Sequence, residues 1–132
     1  MKTLTTILLF IASLPMYAQV DDVYVNPQIP NAFVGGEDSL MKYIDAHFDF
    51  CKKSQNLSKT ESIIARFVVE PNGTYSNLTF MTNNAETTRL MVKELLDSLP
   101  EWKPGTVKGK PVRSYRHLAI RCENGLRVKK VR

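Results

Sequence analysis

The sequence predicts an α+β two-layer domain, with two helices packed on one face of a three-stranded antiparallel sheet. Three observations predict it. Two segments, Glu37–Phe48 and Asn83–Leu99, carry apolar residues at helical spacing. Three others, Ile63–Val69, Tyr75–Thr82 and Val112–Cys122, alternate as strands do. Between the first two strands stands Asn72-Gly73, a pair suited to the positive φ of a tight hairpin turn.

Residues 1–18 stand apart from that fold. Met1-Lys2-Thr3 is a short basic start, Ile7–Leu14 is an apolar run broken by Pro15, and Ala18 supplies the small residue of a cleavage site. This is the layout of a secretory signal peptide, so the protein is expected to be exported. The alternative is an uncleaved inner-membrane anchor, although a spanning helix needs about 20 apolar residues. The chain has a formal net charge of +5. In an exported protein that charge favours acidic partners or an anionic surface over nucleic acid.

Residues 19–35 contain Pro and Asn and read as an extended lead-in, and the domain proper runs over 36–123. In the first helix Leu40, Tyr43, Ile44, His47 and Phe48 form the apolar stripe, with Cys51 close to its continuation. Residues 54–61 are polar and read as a loop. In the first strand Ile63, Ala65, Phe67 and Val69 share one face, and in the second Leu78 and Phe80 point inward. Asn83 with Glu86 reads as an N-cap and capping box for the second helix. Met91, Val92, Leu95, Leu96 and Leu99 are that helix's stripe, and Pro100 stops it. Leu118, Ile120 and Cys122 form the inward face of the third strand. The expected sheet order is second-first-third, which leaves the third strand at an edge, open to pairing with another chain.

The link SLPEWKPGTVKGKPV places rigid residues between the second helix and that edge strand. Trp102 is expected to cover the end of the core, while Pro104-Gly105 and Gly109-Lys110-Pro111 fix the turns. PEWKPGTVKGKPV is similar to the W-x-P-G…G-x-P-V segment of TonB C-terminal domains. AFVGGEDSLMKYI resembles the opening of such domains, and IARFVVEPNGTYSNL their first hairpin. The likeness covers Ile29 to about Cys122. The chain departs from the pattern at Ala119, where a Pro is usual, at Cys122, where an aromatic is usual, and at Glu61-Ser62, where a glycine is common. It also lacks a long Pro-rich spacer.

The resemblance implies a periplasmic domain of energy-dependent transport. Such domains bind a short peptide of an outer-membrane transporter by adding it as a strand beside the third strand. Arg113, Tyr115, His117, Ala119 and Arg121 would then form the partner-binding edge. The alternative use of the same edge is pairing with another protein strand, including that of a second copy, without energy transduction. No nucleophile, base and orienter can be grouped, so no enzyme activity and no cofactor are expected. Cys51, Cys122, His47 and His117 lack the close ligand pairs of a metal site, and the histidines read as a core-edge and an exposed strand residue. Cys51 and Cys122 form an even pair in an exported chain and are expected to be joined as a disulfide, two buried thiols being the alternative.

The tail, residues 124–132, reads in two ways. Glu123-Asn124-Gly125 is a turn signal, and Leu126, Val128 and Val131 alternate with basic residues. It is either a fourth strand folded back onto the third, capping the edge against a partner, or a frayed basic terminus.

Overall fold

A computed structural model describes residues 22–53, 60–124 and 126–127. Residues 1–21, which include the expected signal peptide, most of the 54–61 loop and all of the tail except residues 124 and 126–127 lie outside the described residues.

Helix α1 (Glu37–His47) starts where Gly35 and Gly36 both take positive φ, which turns the lead-in sharply into the helix axis. A short helix α2 (Phe50–Lys53) follows. Strands β1 (Glu61–Val69) and β2 (Tyr75–Phe80) form the expected hairpin. Gly73 is the turn residue with positive φ, at 84°. A side chain there would also meet the Trp102 carbonyl oxygen, 2.6 Å from an ideal Cβ. Gly73 is therefore required twice, by its own torsion and by the close approach of Trp102, whose N–H donates to the Gly73 carbonyl at 2.9 Å.

Helix α3 (Glu86–Ser98) follows, then β3 (Gly105–Val107), β4 (Lys110–Val112), β5 (Ser114–Glu123) and β6 (Leu126–Arg127). The main sheet has the order β2-β1-β5-β6, and β3 with β4 forms a separate two-stranded ribbon. The architecture is α+β, with α1 and α3 contributing Leu40, Ile44, Val92, Leu95 and Leu96 to one core against the inward faces of β1 and β5. Burial of those side chains is the main stabilising term. Among the described residues no helix is long and apolar enough to cross a membrane.

Three sequence expectations need correction. Asn83 does not cap α3: the N-cap is Ala85, without a side-chain cap. Asn84 is the buried polar residue there, its Nδ2 donating to Glu61 Oε1 at 3.1 Å and to the Ser62 carbonyl at 3.2 Å. It secures the helix start to β1 rather than to the helix itself. Val112 belongs to the ribbon and not to the third strand, because Lys108 and Gly109, both with positive φ, close a type I′ turn between β3 and β4. His47 is exposed and not at the core edge, with its ring stacked on Tyr43 at 4.1 Å.

Strand β2 packs Leu78 and Phe80 against the core as expected but is not regular. Arg66 pairs with Thr79 but Val68 with Ser76, so Asn77 and Leu78 together oppose Phe67. This is a β-bulge, with Asn77 at φ 52°. Simple alternation from Leu78 and Phe80 would send Tyr75 outward. The extra residue returns Tyr75 to the inner face, where its ring meets Phe67 edge-on at 5.8 Å and its hydroxyl donates to Asp97 of α3.

Candidate functional site: the outer edge of β5

Strand β5 pairs with β1 along nine consecutive rows, from Glu61↔Cys122 to Val69↔Ser114, without a bulge. Alternation buries Ser114, Leu118, Ile120 and Cys122 and turns Tyr115, His117, Ala119 and Arg121 to the other face. The main chain alternates in the other direction. The Tyr115 N–H and the Arg113 carbonyl both point away from β1, since each bonds to Tyr24. By the antiparallel pattern, the N–H and C=O groups of His117, Ala119 and Arg121 point the same way.

The platform behind this edge is closely packed. Trp102 is buried between Phe33 and Phe67, with ring centroids 5.5 and 5.3 Å away, and the Arg116 guanidinium lies 5.3 Å from its centre. Arg116 also pairs with Glu37 of α1. Gly105 is packed against Pro27 and Ser114, with no room for a Cβ. Of the linker residues singled out in the sequence, Pro104 precedes β3, Pro111 lies within β4 and Gly109 sits in the ribbon turn.

The lead-in forms a strap along this side of the molecule. Ala32 pairs with Lys103, Ile29 with Thr106, and Tyr24 with the start of β5. Tyr24 donates to the Arg113 carbonyl at 2.9 Å and accepts from the Tyr115 N–H at 3.0 Å. The buried Asn31 side chain donates to Ser114 Oγ at 2.6 Å and to the Tyr115 carbonyl at 3.1 Å. At the other end β6 pairs with Cys122 and Glu123. Arg127 of β6 holds Asp45 of α1, Nε to Oδ1 at 2.6 Å, and its Nη1 lies 3.5 Å from Met41 Sδ. The Asp45 carboxylate raises the Arg127 pKa above its ordinary value.

No protein-family model, no curated protein and no solved structure matches the chain.

The five residues singled out in the sequence separate into three groups. Arg113 is not on the strand and does not project from the edge. Its guanidinium grips Glu70 in a two-pronged ion pair, Nε–Oε2 2.9 Å and Nη2–Oε1 3.0 Å. That contact, with help from the Ser76 hydroxyl, holds the Glu70 carboxyl below the usual range. Tyr115 is half-buried beneath Arg66, whose guanidinium lies 4.6 Å from the ring centre, and both its main-chain groups are taken by the strap. His117, Ala119 and Arg121 are exposed, and no strand covers their edge among the described residues.

Cys51 and Cys122 are joined by a disulfide, with a Cα–Cα distance of 5.4 Å. It ties α2 to the end of β5 beside β6. No group of three His, Cys, Asp or Glu side chains suited to a metal ion occurs among the described residues. The strap and Asn31 escaped the sequence reading. Their signal was an extended lead-in with Pro27 and Pro30, residues that cannot donate main-chain hydrogen bonds.

Proposed function

We propose that this is an exported, TonB-like peptide-binding domain that takes an extended segment of an outer-membrane transporter as an added strand beside β5, in the service of energy-dependent transport. The observation that carries the reading is the exposed, unbulged run from His117 to Arg121, in which the main-chain groups of His117, Ala119 and Arg121 point away from β1 and no strand among the described residues pairs with them. Strand addition requires such a run, because its affinity comes from main-chain hydrogen bonds and its specificity from side chains on alternate positions. The resemblance of PEWKPGTVKGKPV to TonB C-terminal domains supplies the partner class.

The test is amide NMR of the isotope-labelled chain titrated with synthetic peptides copied from the periplasm-facing N-termini of outer-membrane transporters. Shifts are expected at His117, Ala119 and Arg121. Changes confined to α1 and α3, with β5 silent, would overturn the reading.

A further inference from the structure

Strand β6 is short and weakly held by its own ladder. It pairs with β5 over two rows, Cys122↔Arg127 and Glu123↔Leu126, behind a tight turn that Asn124 enters at φ 49°. Asn-Gly suits such a turn, but a small two-stranded hairpin is marginal by itself. Apolar burial does not fix it either, since Leu126 is 66% exposed. What fixes β6 is Arg127. Its guanidinium meets the Asp45 carboxylate of α1 with both prongs, Nε–Oδ1 2.6 Å and Nη2–Oδ2 2.5 Å. The Arg127 side chain is only 14% exposed. A fork of this kind joins two charge-assisted hydrogen bonds in one fixed geometry. The contact ties β6 to the first helix, 82 residues earlier in the chain.

Strand β5 does not need β6 to stay in place. Nine rows of pairing with β1 hold it, and the Cys51–Cys122 disulfide pins it at the same end. Release of β6 therefore leaves the platform standing and bares the outward main-chain groups of Glu123. The direction of β6 matters as well. It runs antiparallel to β5, and pairing continued at its register would set residues 128–132 opposite Arg121 back to His117. A strand added from another protein needs the same main-chain groups of His117, Ala119 and Arg121. One edge cannot pair with two strands at once.

We infer that β6 begins a displaceable cover of the β5 edge, latched by the Arg127–Asp45 pair, and that this cover competes with an added partner strand. The inference rests on the strand-addition reading above and adds the regulation of that site. A partner's apparent affinity falls with the fraction of molecules whose edge is open. Asp45 lies on α1, off the edge, so its removal takes away no group that a partner strand pairs with. Breaking the latch should therefore tighten partner binding. A half-exposed ion pair shifts the ratio of closed to open molecules by about fivefold.

The experiment uses the full chain unchanged and as the variants Asp45→Ala and Arg127→Met, which break the latch from either side. Amide hydrogen exchange is read at Leu126, with Ile120, whose N–H faces β1, as the internal control. Both variants are expected to exchange Leu126 about fivefold faster with Ile120 unchanged. In calorimetry both should bind the transporter-derived peptides about fivefold tighter than the unchanged chain. Unchanged exchange at Leu126 in both variants overturns the latch. So does an equal rise at Ile120, which would mean general destabilisation. Faster exchange at Leu126 with equal or weaker peptide binding overturns the competition and leaves strand addition standing. If no peptide shifts the amides of His117, Ala119 or Arg121 in any form of the chain, strand addition fails and this inference with it.

Discussion

The sheet has two long outer edges, and they are kept from indiscriminate pairing by different means. The β2 edge is irregular: Asn77 in the left-handed region and the bulge opposite Phe67 interrupt its ladder. Bulges bend and twist a strand, which spoils it as a template. The β5 edge is regular throughout and is protected by covers at its ends. An edge broken by a bulge cannot be opened by removing anything. An edge that is covered keeps its pairing geometry, and among the described residues no strand pairs with His117 to Arg121. The contrast teaches that one edge keeps the regular geometry that pairing needs and the other does not.

The largest expected effect breaks the cover at one end. Replacing both Cys51 and Cys122 by Ser frees α2 from the end of β5, across a sequence separation of 71 residues. The chain-entropy model gives a loss of about 4 kcal/mol, to be read from urea unfolding of the two proteins. A loss below about 1 kcal/mol would mean that the bond constrains little.

Proline at neighbouring positions of β5 separates the two sides of the strand. Ile120 is buried and its N–H faces β1, so Ile120→Pro should cost about 3 kcal/mol or more. Ala119 points its N–H outward, so Ala119→Pro should cost only about 1 kcal/mol, yet abolish peptide binding. Similar stability losses in the two variants would mean that the assignment of inward and outward N–H groups is wrong.

On the other edge, Asn77→Val places a β-branched residue at φ 52° and should cost about 1–2 kcal/mol. Thermal unfolding measures it. A neutral result would mean that the bulge readily relaxes and that the β2 edge can be straightened.

The smallest effect concerns the turn into β5. Arg113 holds the Glu70 carboxyl below its ordinary value of 4.5. The stability from this pair is therefore complete above that value and is lost as pH falls through the lower folded one. Glu70→Gln should lower stability at neutral pH by less than about 1 kcal/mol and make the acid limb between pH 5 and 3 shallower. An unchanged limb would assign acid sensitivity elsewhere, for instance to Asp97, whose carboxyl Lys93 and Tyr75 also hold low.

The elements were legible in the sequence because each has its own period. Leu40 and Ile44, Val92, Leu95 and Leu96, and Leu118 and Ile120 are all buried where helix or strand spacing places them. The bulge was not legible, since Asn77 interrupts an alternation that looks complete without it. The strap was equally hidden. It touches the rest of the fold through isolated bridges at Tyr24, Ile29 and Ala32, which have no period, and through Asn31, whose hydrogen-bond partner Ser114 lies 83 residues away. Arg113 was misplaced for a related reason: strand alternation runs smoothly through Val112–Ser114, and only the ribbon turn at Lys108-Gly109 breaks it. Of the expected edge, His117, Ala119 and Arg121 lie on the exposed stretch, and nothing in their local sequence announces where the covers end.

The nine-row ladder between β1 and β5 also has a kinetic consequence. Its first and last rows, Glu61↔Cys122 and Val69↔Ser114, join segments separated in the chain by β2, α3 and the ribbon. A chain must close that long loop before any row of the ladder repays the entropy, so this sheet should assemble late, after the β1–β2 hairpin. Until then β1 itself is an exposed edge, carrying the apolar run Phe67-Val68-Val69, all fully buried once β5 arrives. The interval before β5 docks is when a newly made chain would be most prone to aggregate, and early joining of Cys51 to Cys122 would shorten it.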